Sequence, residues 1–355
     1  MLTTREFIYE TRPGRVVFGA GSCNKLSEEM KLRGLGRALV LSTKQQADIA
    51  NRISGMLGPM SAGTCDLATM HTPVEITEKA LVILRDSGAD CLVSIGGGST
   101  IGLGKALSLR SDLPHIAIPT TYAGSEMTPI LGETENALKT TRRDPAILPT
   151  LVLYDVDLTI GLPVAMSVTS GINAIAHAVE ALYAPDRNPV VSLMAEEAIA
   201  SLAHALPVVA EKPADLPARE NCQYGAWLAG ICLGSVSMAI HHKLCHTLGG
   251  TFNLPHAETH TVILPYATAY VAEFAPDAMA AIERALGSEN AASGLRDLAK
   301  SLGAPLSLAQ IGMPEDGIEK AADLAVKNAY WNPRPLEREA IRDLLNRAYH
   351  GAPPI

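Results

Sequence analysis

The sequence has few aromatic residues, no run of basic residues and no long apolar stretch. Aromatic side chains make up 4% of its 355 residues, and the formal net charge at pH 7 is -8. Without a basic surface the chain is not suited to nucleic acid, which we exclude as a partner. No stretch of about eighteen apolar residues exists, and the N-terminal residues lack the apolar core of a secretion signal. These absences predict a cytoplasmic protein that does not bind a membrane.

Cysteine is also scarce, and its spacing carries no motif. The cysteines form no C-x-x-C pair, which predicts buried or half-buried free thiols in a reducing compartment. One of them lies in a histidine-rich segment, but no histidine–cysteine–acid pattern accompanies it, so we do not expect nucleophilic cysteine catalysis. The six residues are Cys23, Cys65, Cys91, Cys222, Cys232 and Cys245.

The first half of the chain alternates short apolar segments with helical ones. With 29 glycines and 47% hydrophobic residues, the composition is typical of a compact α/β protein. Apolar strands separated by helices predict a mainly parallel sheet with right-handed crossovers. The predicted strands are 16–19, 38–42, 91–95, 115–121 and 150–155, and the predicted helices are 47–57 and 73–87.

The second half has a different texture. Beyond Leu162, alanine- and leucine-rich segments with helical spacing dominate, and strand signals almost vanish. One of the predicted helices runs without a break from Ala218 to His246. We therefore predict a dinucleotide-binding α/β domain over 1–160 and an all-α domain over 161–355.

Three consecutive glycines follow the third predicted strand. Gly96, Gly97 and Gly98 lead into a helix that begins near Ser99. Glycines let backbone N–H groups approach a pyrophosphate, and the start of a helix attracts negative charge. The pattern GGGS is not G-x-G-x-x-G, but the order of strand, glycines and helix predicts a dinucleotide site. A tight connection without a ligand is the alternative.

Other polar residues follow the neighbouring strands. Thr120, Thr121 and Ser125 come at the end of the next strand, the edge where open α/β sheets bind their ligands. Ser42 ends the second strand, where the adenosine ribose of a dinucleotide is expected. Because no Asp or Glu stands there to reject a 2′-phosphate, the sequence predicts that both NADH and NADPH are accepted.

Half of the ten histidines lie close to residue 250, in HHKLCHTLGGTFNLPHAETH. Residues four apart share a helix face, so Asn173 and His177 of GINAIAHAVEA face one pocket. The same spacing joins His242 and His246, and His256 follows them. Together they are similar to a metal site, except that an amide stands where a divalent cation prefers a carboxylate.

Taken in order, these motifs resemble the iron-containing alcohol dehydrogenase superfamily. The matching motifs are GGGS, PTTYAGSE, DVDLTIGLP, SGINAIAHAVEA and HxxxHxLGGxxxxPH. The resemblance implies the dehydroquinate synthase-like fold, in which a dinucleotide-binding domain faces a helical domain and a metal sits between them. It places the metal-ligand positions on Asn173, His177, His242 and His256, and a further histidine of the pocket on His246.

Asn173 departs from the metal-binding pattern of that superfamily. With His241-His242 and Lys243, it makes the sequence similar to the maleylacetate reductases, the metal-independent branch. This resemblance implies NADH- or NADPH-dependent reduction of the C=C bond of maleylacetate, a small dicarboxylate, to 3-oxoadipate in bacterial aromatic-compound catabolism. It also implies a homodimer without bound metal. The implied catalytic residues are Asn173, His177, His241, His242, Lys243, His246 and His256. Lys139 falls on a cofactor-contacting lysine, with a solvated surface position as the alternative.

The chemistry of the residues agrees with this branch. An aspartate at position 173 would repel a dianion, whereas an asparagine can donate a hydrogen bond. Histidines near neutral pH can stabilise an enolate and protonate it without a metal. For His241, which points about 100° away from His242 on a helix, pocket and packing roles both stay open.

Two alternative functions remain open. The first is a metal-dependent alcohol or polyol dehydrogenase, because three histidines alone can hold zinc. The second is a nucleotide-binding protein without catalysis, which would keep GGGS but has no reason to gather polar side chains elsewhere. Metal content and a reductase assay distinguish the three functions.

Overall fold

The chain divides into two compact units. The computed structural model describes residues 7–10, 14–135, 138–327 and 330–355, except the side chains of residues 138 and 139. One unit comprises Arg12–Leu162, and the other comprises Pro163–Ile355 together with Met1–Thr11. The chain passes from the first to the second at residue 162, close to the boundary that the sequence places at 160.

The first unit is built on a parallel sheet. Its strands are β1 (Arg15–Phe18), β2 (Ala38–Leu41), β3 (Ser61–Cys65), β4 (Cys91–Gly96), β5 (His115–Pro119), β6 (Ile130–Glu135), β7 (Leu138–Arg143) and β8 (Leu151–Tyr154). Its helices are α1 (Leu26–Lys31), α2 (Ala47–Leu57), α3 (Val74–Ser87) and α4 (Gly98–Ser111). Six strands form a sheet in the order β1-β8-β5-β4-β2-β3, and all its neighbours pair in parallel. The predicted α/β class is confirmed.

Alternate residues of the strands pack on opposite faces of this sheet. Val40, Val93 and Ile116 belong to a buried cluster that includes residues of α1 and α2. Leu39 and Leu92 belong to a second cluster with residues of α3 and α4. Helices on both faces require strands that are apolar throughout, which is why the sequence reveals the central strands so clearly.

Three strands escaped the sequence analysis. β3 reads SAGTC and lies at the edge of the sheet, where of its five residues only Cys65 is buried. β6 and β7 read ILGETE and LKTTRR and pair with each other as an antiparallel hairpin. An edge strand and a two-stranded hairpin bury little surface, so they lack the apolar run on which the prediction depends.

The second unit is helical. Its helices are α5 (Val164–Tyr183), α6 (Pro189–Glu211), α7 (Leu216–Ser235), α8 (Ile240–Phe252), α9 (His256–Val271), α10 (Pro276–Leu286), α11 (Ala291–Ser301), α12 (Gly317–Val326) and α13 (Arg338–His350). α5 is buried from Ser167 to Tyr183, and α6, α7 and α9 pack around it. A helix that is buried on all sides forms the core of such a bundle. The predicted all-α C-terminal part is confirmed.

The prediction of one helix from Ala218 to His246 is wrong. α7 ends at Ser235, and α8 begins at Ile240 after a bend of 94°. Within the bend, the Asp186 carboxylate accepts hydrogen bonds from the backbone and the hydroxyl of Ser237. A side chain from a distant segment thus replaces the carbonyl partner of a continuous helix, and the local sequence carries no sign of it.

α6 is the helix closest to a membrane span by length and composition. Its best eighteen-residue window has a mean hydropathy of 1.4. Glu196 interrupts that window and pairs with Arg284 of α10. The opposite face, with Ile199 and Leu202, is buried in the helical unit, where α6 packs on α5 and α7. Core helices of globular proteins pass the same test, so α6 is weak evidence for a membrane.

Candidate active site

Neighbouring side chains leave little room at the first two residues of the glycine turn in the first unit. β4 ends at Gly96, and α4 begins at Gly98. Gly96 has a φ of +154°, and a Cβ there would lie 2.4 Å from the Thr100 hydroxyl oxygen. A Cβ on Gly97 would lie 3.0 Å from a Thr121 methyl group, whereas one on Gly98 would meet nothing within 4 Å. Gly96 is therefore required by its backbone conformation and its close neighbours, a side chain at Gly97 would push against Thr121, and the start of α4 stays open.

Thr120 and Thr121 follow β5 beside this turn. The Thr120 amide donates to the Gly96 carbonyl oxygen over 3.1 Å, which joins the two strand ends. The Thr120 hydroxyl accepts a hydrogen bond of 2.8 Å from the Gln46 amide. Thr121 is half-buried, as is Ser99 in the first turn of α4. The structure thus gathers these predicted cofactor residues, with Gln46 as a partner that the sequence did not suggest.

Ser42 is less accessible than its position suggests. It is fully buried, and its hydroxyl has no hydrogen-bond partner among the described residues. Thr43, half-buried, and Lys44, exposed, follow it at the end of β2. Lys139 lies in β7, but its side chain is outside the described part. Both cofactor contacts stay predictions.

A buried lysine holds the loop that carries Ser125. Lys105 of α4 donates to the Ser125 carbonyl oxygen over 2.6 Å, and to the Thr128 hydroxyl and the Ile130 carbonyl oxygen over 2.9 Å each. Burial lowers the pKa of Lys105 to about 7, against the opposing effect of the buried Glu126 carboxyl. Lys105 therefore fixes the loop from beneath, a role that its place in a glycine-rich helix did not reveal.

The helical unit gathers six histidines from three helices. α5 contributes His177, α8 contributes His241, His242 and His246, and α9 contributes His256 and His260. Neighbouring rings have centroids 4.3 to 6.0 Å apart. We call this group the histidine cluster. It brings together all the histidines that the sequence placed in the pocket and adds His260, to which no role was assigned from the sequence.

A buried carboxylate organises one side of the cluster. Glu180, one turn after His177 on α5, accepts a hydrogen bond of 2.6 Å from His242 Nδ1. The other nitrogen of His242, Nε2, lies 3.0 Å from His177 Nδ1. We call Glu180, His242 and His177 the buried triad, since each is at most 3% exposed. Glu180 was missed, although GINAIAHAVEA places it on the same helix face as Asn173 and His177.

His241 and His260 form a second pair behind the triad. His241 Nε2 lies 2.9 Å from His260 Nδ1, and the Cys245 sulfur lies 3.7 Å from the same His241 nitrogen. Burial, reinforced by the neighbouring histidines, holds the pKa of both imidazoles well below their usual range. Burial also raises the pKa of the Cys245 thiol, so the sulfur keeps its proton. His241 therefore packs inside the cluster as a neutral ring.

The outer side of the cluster is more polar and more accessible. His256 is exposed and His246 is half-buried. His246 Nδ1 lies 3.2 Å from the Tyr330 hydroxyl, and the Lys243 ammonium lies 5.6 Å from the centre of the Tyr330 ring. Partial burial lowers the pKa of Lys243. Tyr330 comes from an irregular segment far along the chain, and no motif pointed to it.

The donor set of the cluster does not fit a resident iron ion. Nitrogens of His177, His242 and His260 lie within 4.8 Å of one another, as in a tri-histidine site. However, the fourth position is the neutral Asn173, whose buried Oδ1 has no hydrogen-bond partner in the described residues. The one carboxylate of the group, Glu180, already accepts four hydrogen bonds. A divalent iron would find no anionic ligand here.

Comparison with known proteins identifies the family of the chain. The family model for iron-containing alcohol dehydrogenases matches residues 13–156, and the model for the C-terminal part of the Fe-containing alcohol dehydrogenase family matches residues 167–349. The chain belongs to the iron-containing alcohol dehydrogenase family. As a member it is an oxidoreductase, and it uses a nicotinamide cofactor.

Within the iron-containing alcohol dehydrogenases, the chain is very similar to one group. The maleylacetate reductase of Burkholderia cepacia is 58% identical over 348 residues, which are 98% of this chain and 99% of that protein. The corresponding enzyme of Rhizobium sp. (strain MTP-10005) is 56% identical with the same coverage. The crystal structure of maleylacetate reductase from Agrobacterium tumefaciens has a TM-score of 0.96 and 56% identity, and the match covers 99% of this chain and 100% of that one.

Proposed function

We propose that this protein reduces the C=C bond of maleylacetate to give 3-oxoadipate. The observation that carries the proposal is Asn173, a buried neutral amide in a cluster of imidazoles where the metal enzymes of the family have an acid. Three relatives named maleylacetate reductase, compared above, support the same substrate. The protein then takes a small dicarboxylate, and no nucleic acid or membrane takes part.

The reaction needs one hydride and one proton. When bound, the reduced nicotinamide supplies the hydride to the alkene carbon β to the ketone, and an enolate forms. Hydrogen-bond donors of the protein must then stabilise the enolate oxygen, and an acid must protonate the α carbon. The C=C bond becomes a single bond, NADH becomes NAD⁺, and one proton is consumed.

The buried triad is suited to deliver that proton. Both ring nitrogens of His242 are engaged, Nδ1 with Glu180 and Nε2 with His177. A proton held on His242 therefore reaches the substrate only through His177. We propose His177 as the acid and His242 as the residue that recharges it.

The outer side of the cluster is suited to hold the carboxylates. Lys243 carries a positive charge, and His246 and His256 can donate hydrogen bonds. Lys243 and His246 are half-buried and His256 is exposed, so solvent reaches all three. Asn173 adds a donor without adding negative charge. At about 4 Å and an effective dielectric constant of about 20, one like-charge contact would cost about 4 kcal/mol, enough to decide the substrate.

We further propose that both NADH and NADPH serve as cofactors, that the reaction needs no metal, and that the enzyme is a cytoplasmic homodimer. The first point rests on Thr43 and Lys44, which offer no carboxylate at the end of β2. The second rests on the donor set, which lacks an anionic ligand for a cation. The third rests on the resemblance to the maleylacetate reductases, in whose family dimers are common.

A metal-dependent alcohol dehydrogenase is the second candidate. The tri-histidine arrangement of His177, His242 and His260 favours it, because zinc accepts three imidazoles. Its substrates would be alcohols or polyols, and its activity would require the ion.

One assay separates the two candidates. The purified protein is mixed with NADH and maleylacetate, with and without EDTA, and its iron and zinc contents are measured. We expect NADH oxidation that survives chelation. Activity on alcohols alone, lost with EDTA and restored by the ion, would replace the first candidate with the second.

Two variants at position 173 sharpen the assay. Asn173→Asp should raise the KM for maleylacetate at least tenfold, about 1.4 kcal/mol, because it places a charge beside a dianion. Asn173→Leu removes the hydrogen bond without adding charge and serves as the matched control. If both variants raise KM equally, charge at this position does not select the substrate.

A further inference from the structure

Glu180 is a fully buried carboxylate with four hydrogen-bond donors around it. The backbone amides of Ala239 and His241 donate over 3.0 and 2.7 Å. The Tyr183 hydroxyl donates over 3.4 Å, and His242 Nδ1 lies at 2.6 Å. We infer that Glu180 is a positioning residue, which keeps a proton on His242 Nδ1 and so leaves Nε2 to act toward His177. This inference rests on the proposed function.

The hydrogen-bond partners determine which ring nitrogens of the triad carry protons. A carboxylate has no proton to donate, so the ring nitrogen that faces it must carry the hydrogen. With Nδ1 protonated, a neutral His242 has its lone pair on Nε2, which accepts from His177 Nδ1 over 3.0 Å. In this neutral state His177 Nε2 carries a lone pair, so the proton that the triad can deliver is the one extra proton of the cationic pair. That proton sits on His177 Nε2 while His242 Nε2 donates to His177 Nδ1, and its delivery moves the shared proton from His242 to His177. Glu180 thus determines which nitrogen performs the chemistry without touching the substrate.

A capping role alone does not account for Glu180. Helix starts are usually capped by short side chains such as Ser, Thr, Asp or Asn. At α8, the Ile240 amide already donates to the Asn332 side chain over 3.3 Å. Glu180 instead reaches across from α5, and its shortest hydrogen bond goes to an imidazole rather than to an amide. It therefore links the helix of His177 to the helix of His242.

The wild-type enzyme offers the first test. Nitrogen NMR of protein labelled with ¹⁵N-histidine distinguishes protonated from unprotonated ring nitrogens, and a His242→Asn variant identifies the signals of His242 by their loss. At alkaline pH, we expect a protonated Nδ1 and an unprotonated Nε2. An unprotonated Nδ1 would overturn the inference. This measurement needs no Glu180 variant, so it holds even if such a variant does not fold.

Glu180→Gln provides the second test. A glutamine has only one acceptor oxygen, so its NH₂ group faces either the Ala239 amide and His242 Nδ1 or the His241 amide and the Tyr183 hydroxyl. The first orientation keeps the oxygen on the shorter amide contact, and His242 accommodates it by becoming an acceptor at Nδ1. We expect His242 to change to the Nε2-protonated form and kcat to fall about ten- to a hundredfold, the usual effect of losing such a partner. The KM for NADH should not change, because the glycine turn is untouched.

Tyr183→Phe is the matched control. It removes the longest of the four hydrogen bonds to Glu180 and leaves His242 Nδ1 in place. We expect the ring protonation of His242 and kcat to stay within about twofold of wild type, less than 0.5 kcal/mol. An equal loss of kcat in Glu180→Gln and Tyr183→Phe would show that Glu180 has only a packing role. Wild-type kcat in Glu180→Gln would lead to the same conclusion.

The outcomes also separate this inference from the proposed function. A wild-type protein that does not reduce maleylacetate but shows the Nδ1-protonated ring would refute the proposed function and keep the role of Glu180 in the cluster. A protein that reduces maleylacetate but has an unprotonated His242 Nδ1 would support the proposed function and refute the role of Glu180.

Discussion

The two units build their candidate sites in opposite ways. In the α/β unit, the glycine turn between β4 and α4 offers backbone groups, and its form is fixed by three successive residues and two threonines. In the helical unit, the histidine cluster offers side chains from α5, α8 and α9, which lie up to 83 residues apart, from His177 to His260. The first site is steric and local, whereas the second is electrostatic and depends on tertiary packing.

This difference explains what each site tolerates. At the glycine turn, a side chain on Gly96 would collide with Thr100 and one on Gly97 would press on Thr121, so shape is decisive. In the histidine cluster, volume matters less than which atom carries a proton, because at least five of its six rings lie within hydrogen-bond distance of another group. Substitutions should therefore damage NADH binding in the α/β unit, and turnover or substrate binding in the helical unit.

The largest effect is expected at the glycine turn. Gly97→Val should weaken NADH binding by a thousandfold or more, about 4 kcal/mol, because the branched side chain must displace Thr121 and block the start of α4. Fluorescence titration with NADH measures it. Gly55→Ala, on an open part of α2 with nothing within 4 Å, is the control and should bind normally. Normal NADH affinity in Gly97→Val would show that the glycine turn does not bind the cofactor.

The next effect concerns turnover. His242→Ala should lower kcat about a hundredfold, the usual loss when an acid–base group is removed. Its NADH affinity should be that of the wild type, because the substitution lies in the helical unit. Steady-state kinetics gives both values, and exposed His204→Ala is the control. A parallel loss of NADH affinity would contradict the division of labour between the units.

Acid should lower the free energy of unfolding through buried histidines in both units. Burial holds the pKa of His241 and His260 well below 6.5 and that of His115, in β5, at about 3. Below pH 6.5 the unfolded chain binds more protons than the folded one, so stability falls as pH decreases. Each histidine contributes a slope of about 1.4 kcal/mol per pH unit.

Histidine variants show how much of this pH dependence of the free energy of unfolding comes from each unit. In urea unfolding between pH 6.5 and 5, His115→Gln should remove one share of the slope, and the double variant His241→Gln/His260→Gln should remove two. Equal slopes in all three proteins would show that these rings take up protons in the folded state.

The smallest effect is expected in cofactor choice. The kcat/KM values with NADH and NADPH should differ by less than about tenfold, or 1.4 kcal/mol, since β2 ends without a carboxylate. Thr43→Asp should shift the ratio toward NADH by repelling the 2′-phosphate. A thousandfold preference of the wild type for NADH would mean that an acidic group from elsewhere contacts the ribose.

The sequence predicted the fold where burial leaves a periodic trace. The central strands, the helices α2 and α3 and the glycine turn all depend on neighbours in the sequence, and their positions were correct. The bend before Ile240 was not predictable, because Asp186 and Glu180 stabilise it from other segments. Tyr330 was missed for the same reason: it meets His246 only after folding.

Cys245 illustrates what enclosure by the histidine cluster does to a reactive group. An imidazole 3.7 Å from a thiol would, at a solvated site, take its proton and leave a nucleophilic thiolate. Here burial favours the neutral form of both partners, and all six thiols of the chain are buried. Alkylating agents and mild oxidants should therefore leave the folded enzyme active, and covalent labelling of Cys245 becomes a reporter of unfolding.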